Sequence, residues 1–122
     1  MTLQVLPQTF TVCQLSDLSL VDFSRTFVFL SQTDEELSLV CETGFVPQHT
    51  LAREDGWRAL RVCGVLEFSM VGVLARLSSL LAASGISIFA ISTYNTDYLL
   101  TKAEVFDRAL ETLSTAGYAI LE

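Results

Sequence analysis

Between the apolar run that starts at Ile86 and the short one that ends at Thr101 stand Ser92, Thr93, Tyr94, Asn95, Thr96 and Asp97. Every one of these side chains donates or accepts hydrogen bonds, and Asp97 adds a negative charge. A second group, Ser69, Met70, Val71, Gly72 and Val73, opens a segment whose apolar residues recur at helical spacing. A helix start presents unpaired amides and the positive end of the helix dipole, so the amides from Met70 to Val73 suit a carboxylate, and Gly72 lets it come close to the backbone. An ammonium needs acceptors instead. Asp97, the carbonyls of Ile91 to Thr93, and the side-chain oxygens of Thr93 and Asn95 supply them through charge-assisted bonds. The two groups together are suited to a small zwitterion, with Ser69, Tyr94 and Thr96 shaping the space for its side chain. Each residue also has a plainer use: Gly72 in close helix packing, Ser69 as a cap, Asp97 in a turn.

The elements that must position these groups follow from local pattern. Val73, Leu74, Leu77, Leu80 and Leu81 predict a helix from Val71 to Ala83, capped by Ser69 and ended by Gly85 at positive φ. Ile86 to Thr101 reads as a β-hairpin with the polar residues at its tip. Thr101-Lys102-Ala103-Glu104 has the form of a capping box, ahead of a helix whose apolar face is Val105, Phe106, Ala109, Leu110 and Leu113 and whose end is Gly117. Tyr118 to Leu121 is a last short strand. Ahead of the first helix, Trp57 to Phe68 is a run of strand formers interrupted at Gly64, as if two strands meet there. The order from Arg61 to Leu121 is therefore strand, helix, strand, strand, helix, strand. Right-handed crossovers turn it into a four-stranded antiparallel sheet with two helices on one face, the α+β ferredoxin-like βαββαβ arrangement.

The first half repeats part of this order. Thr9 to Leu15 reads as a strand bounded by Pro7, and Ser16 to Phe23 as at most two helical turns capped by Ser16 or Asp17. Thr26 to Leu30 and Leu37 to Cys41 form a hairpin across the polar Ser31 to Glu36, and Thr43 to Gly56 is mostly loop with a short helical turn around Pro47 to Arg53. Laying Leu30-Ser31 on Ile91-Ser92 puts Glu35-Glu36 on Thr96-Asp97, an offset of 61 residues, whereas Val12-Cys13 and Val62-Cys63 lie 50 apart. A leading helix shortened by about three turns accounts for the mismatch. The expectation is two similar units in tandem, residues 1–60 with the first helix reduced and residues 61–122 complete. On that overlay the acidic tip Asp34-Glu35-Glu36 stands opposite Asp97 and leaves a second, degenerate pocket open.

Composition narrows the function classes. Fourteen acidic residues against seven basic ones give a net charge of −7. The cations are scattered from Arg25 to Arg108, so a phosphate backbone is repelled and nucleic acid is not an expected partner. Hydrophobic residues make up 51% of the chain, yet no apolar run reaches the ~18 residues that a membrane span requires. So apolar a short chain is expected to cover some of that surface by forming a homodimer. Cys13, Cys41 and Cys63 are odd in number and sit in apolar segments without a leading signal segment, which reads as reduced, buried thiols in the cytoplasm. No metal-ligand spacing, phosphate loop or paired nucleophile and base is present, His49 lies in a Gly/Pro-flanked loop, and no cofactor or catalytic residue is assigned.

With these residues placed, Ser69-Met70-Val71-Gly72-Val73-Leu74 and Gly85 to Leu100 resemble the ACT domain, a small regulatory module that binds amino acids in many biosynthetic enzymes. The Ile91-Ser92-Thr93 and Thr96-Asp97 hairpin is similar to that of tandem ACT proteins related to aspartokinase regulatory domains and the CASTOR arginine sensors. Leu6 to Cys13 and Gly56 to Val62 resemble the small bacterial members of that group. The resemblance implies a non-catalytic amino-acid sensor, its ligand between the turn that opens the first helix and the hairpin, often at an interface between units. The alternative is a structural or protein-interaction module whose ligand site is vestigial.

Overall fold

Thr2–Leu15 buries alternate side chains over most of its length and forms strand β1. The computed structural model describes residues 1–67 and 70–122, and in it β1 runs straight through Pro7. Pro7 is exposed and its fixed φ fits extended backbone, so it is not the boundary that its type suggests. After β1 come β2 (Phe29–Gln32), β3 (Leu37–Glu42), β4 (Ala52–Val62), helix α1 (Val73–Ala83), β5 (Phe89–Ser92), β6 (Asp97–Lys102), helix α2 (Ala103–Thr115) and β7 (Ala119–Leu121). Among the described residues, no helix is long and apolar enough to cross a membrane.

The chain forms two compact units, one of Met1–Pro7 with Arg58–Glu122 and the other of Gln8–Trp57. This grouping differs from a cut between residues 60 and 61, because the N-terminal residues pack with the second half. Thr2, Leu3 and Gln4 pair in parallel with Ala119, Ile120 and Leu121, and the Cys63 amide donates to the Thr2 carbonyl at 2.9 Å. The larger unit therefore has the strand order β7-β1-β4-β6-β5. The start of β1 occupies the place beside β7, so the sheet is neither four-stranded nor wholly antiparallel as the sequence predicts. The architecture remains the α+β ferredoxin-like one. Leu77 and Leu81 of α1 and Phe106, Ala109 and Leu113 of α2 pack with Leu3, Val5, Leu60, Val62 and Leu99 of the strands. Those strand residues are two apart within each of β1 and β4, so both helices cover one face.

Local chemistry sets the helix ends. Gly85, at φ +73°, closes α1: its amide donates to Ala82 and that of Ile86 to Leu81, while Leu81 and Ile86 share the core, a Schellman ending. At the other end α1 begins at Val73, two residues later than its spacing suggests, and its N-cap is Gly72 at φ +81° with no side-chain cap. The predicted capping box is not formed. Strand β6 continues to Lys102, which leaves Thr101 buried with its hydroxyl on the Lys102 carbonyl at 3.2 Å, and Lys102 itself is the N-cap of α2. Gly64 at φ +88° follows β4, and Val65 to Glu67 carry no strand, so the second strand expected there is absent from the described residues. Its last residue, Phe68, lies outside them.

In the smaller unit β3 pairs antiparallel with β1, from Phe10 and Glu42 to Leu15 and Leu37, and with β2. Its core holds Cys13, Leu15, Leu39 and Cys41. In place of the first helix stands a single 3₁₀ turn, Leu18–Leu20, whose first-turn amide at Ser19 bonds the Asp17 carboxylate. The helical turn expected around Pro47 to Arg53 is replaced by the early start of β4 at Ala52. The two hairpins match closely in register. Phe29 faces Val40 and Gln32 faces Leu37; Phe89 faces Leu100 and Ser92 faces Asp97, each 60 residues on. The Thr33 amide donates to the Glu36 carbonyl and the Thr93 amide to the Thr96 carbonyl, both at 2.9 Å. The sequence overlay at 61 is thus one residue off, and a one-residue slip in a strand exchanges its faces. At the observed offset Asp97 corresponds to Leu37, not to Glu36, so the acidic tip does not reproduce its position.

Candidate functional site

Strand β4 ends at Val62, and the chain must reach the start of α1 across an irregular segment. That segment is fastened to the β5–β6 hairpin twice. The Leu66 amide donates to the Asn95 carbonyl at 2.6 Å, and the Thr96 hydroxyl, buried, donates to the Val62 carbonyl at 2.7 Å. These bonds hold the hairpin tip beside the helix start. Between them lies a hollow of about 290 Å³ lined by Leu66, Glu67, Met70, Gly72 to Ala75 and Ser92 to Asp97.

Most residues singled out from the sequence meet at this hollow. Met70, Gly72 and Val73 line one wall; Ser92, Thr93, Tyr94, Asn95, Thr96 and Asp97 line the other. Val71 does not. It is 91% exposed and turns toward a separate concavity shared with Arg76 and Tyr118. Ile91 faces Tyr98 across the hairpin and is not part of the lining. Ser69 lies outside the described residues. The later helix start also moves the available donors. The Met70 amide bonds the Glu67 carbonyl at 3.0 Å, and the first helical bond of α1 runs from Arg76 to Gly72 at 2.9 Å, so the amides of Val73, Leu74 and Ala75 are the ones at the free N-terminus. Leu74 and Ala75 follow from the sequence only if Gly72 is read as the cap. Leu66 and Glu67 have no signal there, since nothing local marks an irregular segment as pocket wall.

The hydroxyls of the tip are partly used internally. Thr93 Oγ1 donates to the Thr96 carbonyl at 3.0 Å and Thr96 donates to Val62, so both serve the turn. The Ser92 hydroxyl donates to Asp97 Oδ1 at 2.6 Å and fixes that carboxylate at the mouth of the hairpin. Among the described residues, the lining carries two carboxylates, Glu67 and Asp97, and no lysine, arginine or histidine. Among the described residues, the partial positive charge that borders it is that of the helix N-terminus. The apolar part is Leu66, Met70, Val73, Leu74 and Ala75. Such a surface can hold a carboxylate at one end, a cation at the other and an apolar body between them.

The fold is a small α+β module with a hollow between a helix start and a hairpin tip. The ACT domain family model matches residues 52–115, more than half of the sequence, and the chain belongs to that family. Among solved structures it is similar to a protein of Agrobacterium tumefaciens, with a TM-score of 0.87 at 29% identity over 98% of this chain and 91% of that one. A Vibrio cholerae protein of unknown function, described as a possible transport protein, matches with a TM-score of 0.73 at 22% identity, covering 93% and 88% of the two chains. The ligand-free regulatory subunit of aspartate kinase from Thermus thermophilus matches with a TM-score of 0.66 at 9% identity, covering 96% and 97%. No curated protein sequence matches the chain.

Proposed function

We propose that this chain is a non-catalytic sensor of a free amino acid, held between the start of α1 and the β5–β6 hairpin. The reading is supported by one juxtaposition: the Val73, Leu74 and Ala75 amides and the Asp97 carboxylate border the same hollow. The amides take the α-carboxylate and Asp97 the α-ammonium, in charge-assisted bonds about twice as strong as neutral ones. Two carboxylates and no cationic side chain in the lining disfavour aspartate and glutamate as ligands. The regulatory subunit of aspartate kinase among the similar structures is consistent with a regulatory role, and the tandem organisation belongs to the same proposal, since the two hairpins share register and turn bonds.

Thermal denaturation with each of the twenty amino acids tests the reading. A ligand present at about 100 times its dissociation constant adds about 2.7 kcal/mol. The expected result is a rise in midpoint for one amino acid or a few related ones, lost in Asp97→Ala. A flat response to all twenty removes the proposal. The structural alternative draws on the internal use of the Thr93 and Thr96 hydroxyls, and it gains if Asp97→Ala and Gly72→Gln leave assembly and partner binding unchanged.

A further inference from the structure

Between Glu67 and Asp97 the sequence carries one charged residue, Arg76, in a chain whose net charge is −7. Arg76 is the fourth residue of α1, and its amide makes the first helical bond, to the Gly72 carbonyl at 2.9 Å. The first turn is the positive end of a helix dipole, where a carboxylate stabilises and a cation does not. No acidic residue stands in that turn and no side chain caps it, so the guanidinium has no counter-charge there.

The other arginines are tied into the chain. Arg53 pairs with Asp55 at 2.8 Å, Arg58 donates to the Leu6 carbonyl, Arg61 to Gln4 Oε1 and Arg108 to the Ser84 carbonyl, while Arg25 lies 3.7 Å over the Phe45 ring. Among the described residues, the Arg76 guanidinium forms no hydrogen bond or ion pair and stands 6.0 Å from the centre of the Tyr118 ring. That ring borders a second concavity of about 360 Å³, which Arg76 shares with Met1, Val71 and Val73 and with the turn at Ala116 and Gly117. Val71, 91% exposed, is the most exposed large apolar side chain among the described residues. No described aspartate or glutamate lines the concavity. Carbonyls at the end of α2, the negative end of that dipole, are occupied: those of Thr112, Ser114 and Leu113 accept the amides of Ala116, Gly117 and Tyr118 at 3.2, 3.0 and 3.1 Å.

We infer that this concavity is a second ligand site, for a small organic carboxylate that carries no ammonium. The carboxylate sits on the Arg76 guanidinium and its apolar body on Val71, Val73 and the Tyr118 ring. An arginine beside an aromatic face keeps its planar fork open, and that fork matches a carboxylate in two parallel bonds. The bound anion also supplies the negative charge that the first turn of α1 lacks. A volume of about 360 Å³ is that of a small-molecule site. The two concavities select opposite ligands although both are lined by Gly72 and Val73. Glu67 and Asp97 in the hollow repel an anion without an ammonium, and the second concavity offers an ammonium no carboxylate.

Titration of the full chain with phenylacetate and with isocaproate, followed by two-dimensional NMR, tests the site, and phenylacetamide serves as the neutral counterpart. The expected result is saturable shifts at the amides of Val71, Val73 and Gly117 and at the Arg76 Nε–H. Affinity should fall by about tenfold or more for phenylacetamide, and by as much for phenylacetate in Arg76→Gln, since each change removes a charge-assisted pair. Arg76 is exposed and glutamine is a good helix former, so the variant keeps α1; the phenylacetamide comparison needs no variant at all. Asp97→Ala should bind phenylacetate as the parent chain does, which separates this site from the amino-acid site. The absence of saturable shifts with either carboxylate, shifts confined to Ser92 to Asp97, equal affinity for phenylacetamide, or unchanged binding in Arg76→Gln would each overturn the inference.

Discussion

Thr96 and Gly72 border the same hollow and do different things there. The Thr96 hydroxyl is committed to the Val62 carbonyl in a buried bond, so Thr96→Val, nearly equal in volume, leaves that carbonyl without its donor. The expected loss is about 1–3 kcal/mol of stability, read as a lower midpoint in urea with an unchanged slope. Gly72 has nothing within 4 Å of where a Cβ would stand, so the cost of a side chain there comes from φ +81° alone. Gly72→Ala should lose about 1–2 kcal/mol, and Gly72→Asn less, since asparagine tolerates the left-handed region. Gly72→Asn thereby separates two roles. If the glycine serves only the backbone, the variant binds as the parent does; if a carboxylate must approach there, the folded variant loses the ligand-induced rise in midpoint.

Among the elements, the paired strands β1 and β3 bury two thiols on one face of the smaller unit. Burial, then the neighbouring Cys13, push the Cys41 thiol up to about 11 from an ordinary 9.0, and burial raises Cys13 as well. A group whose folded pKa is raised stays protonated in the native state while the unfolded chain already ionises, so stability is full below about pH 9 and falls as pH rises toward 11. Cys41→Ala should flatten that fall in an alkaline denaturation series, and a fall of the same steepness would reject burial of the thiol as its cause. The helices show what a sequence makes legible. Leu77, Leu81 and Gly85 announce α1 and its end because periodicity and an αL cap are local signals, and the hairpin tip from Ser92 to Asp97 is likewise local. The pairing of Thr2 with Ala119 is not. It joins the two ends of the sequence, and no property of either residue marks it, so the extra strand beside β7 and the membership of Met1–Pro7 were hidden. Thr101 misled for a related reason: its cap signature is local, but burial in β6 is decided by the core it packs against.

At the scale of the whole molecule, the proposed ligand site meets strand β5, and the homodimer expected from the apolar composition ties binding to association. Strand β5 ends at Ser92, and Ser92 holds Asp97 in place at the hollow. A ligand that favours one arrangement of the contacts between copies is itself favoured by that arrangement. The coupling must be mutual: if the amino acid tightens association by some factor, association tightens amino-acid binding by the same factor. Couplings of this kind are typically about 1–3 kcal/mol, or about 5- to 150-fold. Whichever amino acid raises the thermal midpoint should accordingly lower the dimer dissociation constant in sedimentation, and its affinity measured by calorimetry should weaken when the protein is diluted below that constant. Ser92→Ala should leave the parent fold intact, loosen Asp97, and reduce both effects together. An amino acid that raises the midpoint while leaving the dissociation constant unmoved would show that binding and association are independent, and regulation would then have to act within one copy of the chain.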